Sequence, residues 1–162
     1  MRRIVGFLAV NAVLLIPAMA LAQQINFGGM KANTKAPVEV TADQLNVNQD
    51  SGQAVFSGNV LIAQDQMRLK APKVEVNYAK GDTSKISTLH ATGGVTLVSA
   101  TDAAEAQEAV YDVAAGTVVM TGNVLLTQGD NVMSGNRLDV DLSTGMGQMQ
   151  GRVRTILTPG KK

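Results

Sequence analysis

Along residues 54–62 the chain alternates: Phe56, Val60 and Ile62 fall on one face at a spacing of two, while Ser57 and Asn59 fall on the other. Leu138-Asp139-Val140-Asp141-Leu142 alternates more cleanly still. A period of two is the mark of a half-buried β-strand. Beyond the first 22 residues no segment carries a sustained helical stripe. Ala103 to Ala109 has helical composition, but it occupies a position that is a strand elsewhere in the pattern, and we read it as strand. Asp50-Ser51-Gly52, Lys80-Gly81-Asp82, Ala114-Ala115-Gly116, Gln128-Gly129-Asp130 and Ser143-Thr144-Gly145 separate the strands with glycines able to take positive φ.

The pattern repeats. Gly58-Asn59-Val60-Leu61 matches Gly122-Asn123-Val124-Leu125, with looser copies at Gly93-Gly94-Val95 and Gly151-Arg152-Val153. A second motif, a small residue followed by apolar residues three and five positions on, begins at Ala42, Ala71, Ala106 and Gly135. A third marker is a Gly ten residues after each of those starts: Gly52, Gly81, Gly116 and Gly145. The series keep phase with a unit of 29 residues, and copy two carries six extra residues, placed around Asp82 to Ile86 and expected to form a surface loop. Gly29 falls in phase upstream, but Lys31 stands where Val is expected, so that segment is read as a cap or as no element at all. Units of about three short strands cannot bury an apolar face singly. Stacked in order they form two facing antiparallel sheets, an all-β, quasi-one-dimensional architecture whose two ends are open strand edges. The expected docking edges are the first strand, around Val38 to Val47, and the last, Arg152 to Leu157.

The opening of the chain is of another kind. Arg2 and Arg3 precede an apolar run from Ile4 to Ile16, and Ala20-Leu21-Ala22 fits a small-x-small cleavage site. The reading is a cleavable signal peptide over 1–22, cut between Ala22 and Gln23. Residues 23–37 are expected to be a flexible lead-in, 38–158 the domain of four repeats, and 159–162 a tail. Cleavage turns a net charge of +1 over 162 residues into −1, because it removes two Arg and no acidic side chain. A near-neutral chain with five aromatics and no Trp has no nucleic-acid-binding signature. The absence of Cys excludes disulfides, thiolate chemistry and Cys-ligated metals.

The phased Gly-Asn-Val-Leu copies, the Ala-x-x-apolar-x-apolar segments such as Ala106 to Asp112, and the signal sequence together resemble the OstA-like family of periplasmic lipopolysaccharide-transport proteins. The resemblance covers roughly residues 36 to 155. It implies an open, V-shaped β-jellyroll with no cofactor and no catalytic motif. It further implies a periplasmic carrier that holds the acyl chains of lipid A between its sheets. Such a carrier stacks head to tail with itself and bridges the periplasmic domains of an inner-membrane exporter and an outer-membrane translocon.

Elementary energetics agree with such a task, since moving a dozen-carbon chain through water is opposed by roughly 10 kcal/mol at about 0.8 kcal/mol per CH₂. The residues expected to line the slot are Leu45, Val47, Phe56, Val60, Ile62, Leu69, Val74, Val76, Leu97, Met120, Val124, Leu126, Leu138 and Val140. Arg68, Lys70 and Lys73 are the nearest cations for lipid phosphates, although a solvated edge accounts for them as well.

No enzymatic constellation is legible. His90 is the one histidine, Asp139 and Asp141 share the polar face opposite Val140, Glu105 and Glu108 converge on nothing, and no phosphate-binding loop occurs. Two alternatives stand beside the transport reading: a structural β-repeat export module with a closed core, and an inner-membrane receptor of the same fold.

Overall fold

A computed structural model describes residues 24–26, 28–48 and 51–158. The expected signal peptide with its Ala22/Gln23 junction, and the tail at 159–162, lie outside the described residues.

The strands in chain order are β1 (Gln24–Asn26), β2 (Glu39–Thr41), β3 (Gln44–Asn48), β4 (Gln53–Gln64), β5 (Met67–Ala79), β6 (Asp82–Ser99), β7 (Asp102–Asp112), β8 (Thr117–Gln128), β9 (Asn131–Asp141), β10 (Met146–Gln150) and β11 (Arg154–Ile156). All pair antiparallel, in the order β1-β10-β9-β8-β7-β6-β5-β4-β2, with β3 also on β4 and β11 also on β9. The fold is therefore all-β and open at both ends. In place of three short strands per unit, copies two and three are each a hairpin of two long strands bent near their middles, while in copies one and four one long strand, β4 or β9, pairs with two short ones, β2 and β3 or β10 and β11. The bends lie where the pairing register shifts, at Ser57/Val60, Lys70/Lys73, Thr92/Val95, Glu105/Glu108 and Thr121/Val124. One continuous sheet is folded along this line into two facing leaves. The first leaf holds β3, β10 and the β4, β8 and β9 segments 53–57, 117–121 and 137–141, and the second holds β2, β11 and segments 60–64, 124–128 and 131–135.

The phased glycines explain the crease. At Gly122-Asn123 both residues take positive φ, 85° and 49°, and the same left-handed pair recurs at Gly58-Asn59, Gly93-Gly94 and Gly151-Arg152. A Cβ on Gly122 would stand 2.8 Å from the Cβ of Gln107 on the neighbouring strand. The corner therefore needs glycine both for its backbone and for close approach. Ala71, Ala106 and Gly135, three of the four small residues of the second motif, are buried opposite the corners, and Ala42 near the edge is partly buried.

The six extra residues of copy two extend a strand. β6 spans 18 residues against 12 for β4 and β8, and its added turn-side portion pairs irregularly with β5, Tyr78 opposite Ile86 and Ala79 opposite Asp82.

Within the lead-in, residues 30–36 carry packing and hydrogen bonds. Met30 is fully buried and Ala32 nearly so, because both fill the gap between the leaf tips.

Candidate functional site

The inner faces of the two leaves form continuous apolar rungs. In the first leaf one rung runs Leu45, Phe56, Val74, Ala91, Ala109, Met120, Leu138, Met149 across successive strands. A parallel rung runs Val47, Ala54, Val76, Leu89, Tyr111, Val118, Val140. In the second leaf Val40, Ile62, Leu69, Leu97, Ala104, Leu126 and Met133 are in register. Alternation at period two puts every one of these side chains on the same face.

All fourteen residues expected in the slot lie on these inner faces, but their exposure divides them. Val60, Ile62, Leu69, Val74, Val76, Leu97, Met120, Val124, Leu126, Leu138 and Val140 are buried, and Phe56 is half-buried against the same cluster. Leu45 and Val47 are 53% and 62% exposed, because β3 is the last strand at that end and no further rung covers them. At the other end Ile156 and Leu157 on and beside β11 are exposed as well.

Polar groups occupy the outer faces. Arg137 makes a two-pronged contact with Asp139, at 2.6 and 2.8 Å, and that bond raises the guanidinium's affinity for its proton. Asp141 accepts bonds from the Ser143 hydroxyl and from the amides of Ser143 and Thr144, which hold its carboxyl below the usual range. Asp139 and Asp141 are thus a salt-bridge partner and a turn cap. Lys73 bonds Glu75 at 2.6 Å, lowering the Glu75 carboxyl, and Arg68 donates to the carbonyls of Asp65 and Met67. His90 approaches Glu108 at 3.4 Å on an exposed face. Among the described residues there is no cluster of metal-ligating side chains.

The leaf tips carry a polar arrangement that period-two reasoning missed. Tyr111, fully buried near the tip of the first leaf, donates its hydroxyl to Oε1 of buried Gln64 at the tip of the second. Gln64 Nε2 in turn donates to the carbonyls of Thr34 and Ala36, at 3.1 and 2.8 Å. The Ala32 amide bonds the Leu142 carbonyl of the first leaf, and the Asn33 amide bonds Asp65 of the second. The one available signal was Tyr111 itself, since a tyrosine at an inward position needs a partner for its hydroxyl.

An open β-jellyroll with an apolar interior and uncapped ends is the class these features define. A model of the LptA/(LptD N-terminal domain) LPS transport protein family matches residues 39–146, and the chain belongs to that family. It is 26% identical over 161 residues to the lipopolysaccharide export system protein LptA of Haemophilus influenzae, covering 93% of each chain. It is 25% identical over 157 residues to LptA of Escherichia coli K12, covering 91% of this chain and 85% of the relative. An uncharacterised protein of Rhizobium meliloti is 30% identical over 157 residues, with 90% of this chain and 84% of the relative covered. The crystal structure of LptH, the LptA-homologous periplasmic component of the lipopolysaccharide transport device of Pseudomonas aeruginosa, superposes with a TM-score of 0.70. It shares 17% identity, over 79% of this chain and 99% of that one, a likeness of fold.

Proposed function

We propose that this chain, once exported to the periplasm, carries lipopolysaccharide toward the outer membrane with the lipid A acyl chains held between its leaves. The observation that carries the reading is the apolar rungs that cross the whole stack and end uncovered at Leu45 and Val47. A second copy placed edge to edge continues those rungs, so a lipid passes between copies without meeting water. Uncovered β2–β3 at one end and β11 at the other supply strand edges for head-to-tail pairing, and for pairing with similar domains of an inner-membrane exporter and an outer-membrane translocon. The chain's part is shielding and bridging. It acts without a cofactor and as no enzyme, and energy for directional transport comes from a partner. The fourteen inner-face residues from Leu45 to Val140 named above are the proposed lipid contacts.

Site-specific photocrosslinking from Phe56 or Val124 in cells tests this. Adducts with lipopolysaccharide from both positions are expected, and their absence from both overturns the reading. The fully buried interior also fits a second reading, a structural module with a permanently closed core. Lipid mass spectrometry of the purified protein separates the two, because a closed core yields no bound amphiphile.

A further inference from the structure

Between the leaves Ile62, Leu97, Met120, Leu126 and Leu138 have no exposed surface, so an acyl chain enters only if the leaves part. At the crease they are joined by continuous backbone in every long strand. Parting therefore happens at the tips, and there residues 29–38 run as a strap that leaves the second leaf, touches the first at Leu142 and Gly116, and returns to the second. The strap starts where Gly29 sits against Asp102, so close that a Cβ on Gly29 would stand 2.6 Å from the carboxylate carbon. It buries Met30, bonds Leu142 and Asp65, and is held by Gln64 before it enters β2. Ser99, paired with Asp102 at the strap's docking point, is fully buried with its hydroxyl unpartnered, an unfavourable arrangement that uncovering the tip relieves.

Beside the strap lies a cleft of about 340 Å³ between Thr34 to Val38 on one side and Ser84 to Ile86, the strand extension peculiar to copy two, on the other. Its apolar members Val38, Ile86 and Val113 pack directly on the core cluster, so apolar surface is continuous from the cleft to the interior. Lys85 lines the rim, and Lys35 is exposed on the strap itself.

We propose that this cleft is a lateral entry port for an anionic amphiphile, and that the strap 29–38 is its gate: an acyl chain passes Val38, Ile86 and Val113 when the strap lifts, while Lys85 receives the phosphate of the headgroup. The inference rests on the transport reading and adds a place of entry and the element that controls it.

The chain has no cysteine, so a reversible lock can be built in. A Cβ on Gly116 would lie 3.4 Å from the Thr34 Cβ, close to disulfide spacing, so Thr34→Cys/Gly116→Cys pins the middle of the strap to the first leaf, at the cost of left-handed strain because Gly116 has φ of 67°. Gly29→Cys/Asp102→Cys pins its start to the second leaf. Each exported-length double variant is oxidised, checked by thiol titration and circular dichroism, and mixed with purified lipopolysaccharide; bound lipid is then measured with and without reductant. Oxidation should lower bound lipid about tenfold or more, with recovery on reduction, because the competent open population is removed. Equal binding by oxidised and reduced forms overturns the gate while leaving transport standing. Failure of both pairs to oxidise in folded protein overturns the strap's placement. If the parent chain itself binds no lipopolysaccharide, the transport reading falls and the port falls with it.

Discussion

The Tyr111 hydroxyl donates to the side-chain carbonyl of Gln64, 47 positions earlier in sequence and on the opposite leaf. Gln64 spends its amide protons on two strap carbonyls, so one side chain links both leaves and the segment across their tips. Removing the hydroxyl leaves the Gln64 carbonyl oxygen buried without that partner. Tyr111→Phe is expected to lower stability by about 1–3 kcal/mol, the penalty for an unsatisfied buried polar group. Thermal unfolding of the two proteins side by side measures it, and an unchanged midpoint contradicts the role assigned to the bond.

The same tyrosine gives a pH signature. Burial, the largest influence, raises the Tyr111 phenol above its ordinary value of 10.0, against a smaller opposing effect of the Gln64 bond and with a further rise from Asp112. Above pH 10 the unfolded chain releases this proton while the folded chain keeps it, so the unfolded state is favoured increasingly. Stability from this group is whole below pH 10 and is lost as pH climbs through the raised folded value. Tyr111→Phe has no phenol to ionise and lacks this dependence. The stability difference between parent and variant, followed by denaturant titration, should therefore shrink above pH 10.

The creases can be tested by separating backbone strain from crowding. Gly94 has φ of 96° with no atom within 4 Å of an added Cβ, whereas Gly122 has φ of 85° with Gln107 at 2.8 Å. Gly94→Ala should cost about 1–2 kcal/mol from left-handed strain. Gly122→Ala should cost more, by about 1 kcal/mol or above, since a neighbouring strand must move as well. Equal losses in denaturant unfolding would show that steric approach at the crease is unimportant.

Core and edge positions of the same rungs should behave differently. Ile62→Ala removes fully buried atoms and is expected to destabilise by about 2–5 kcal/mol. Val47→Asp, at an exposed end position, should leave stability within about 0.5 kcal/mol. If stacking continues the rungs, however, it should reduce self-association sharply in light scattering. Unchanged mass for Val47→Asp would argue that the β3 end is not a stacking surface.

The two parts of the C-terminal edge also differ. β10 is already paired with the chain's own β1, Ile25 opposite Gly147, while β11 has only β9 as a partner among the described residues. Proline within Arg154–Ile156 should lower oligomer mass at unchanged fold, since it removes a donor from the open edge. Ile25→Pro should raise it by releasing β10. The opposite pair of results in light scattering would place the docking edge elsewhere.

Strand character, inward parity and turns were legible in the sequence, because each depends on neighbours in sequence: alternation of two, and glycine at positive φ. The phased copies of Gly58-Asn59 and Gly122-Asn123 mark the crease directly, although they read as strand interiors until the pairing register is seen. Three short strands per unit were expected where copies two and three have two long bent ones, because a bulge and a turn draw on the same residues. What only the tertiary structure decided is how the tips are closed. Met30 lies in a stretch without alternation, and Gln64 is a polar residue beside a turn. Their burial follows from the meeting of two leaves distant in sequence, which leaves a gap that a segment must fill and polar groups that must find partners across it. Local pattern determined the rungs; the folding of one sheet upon itself determined which of them are sealed and which, at Leu45 and Val47, remain open.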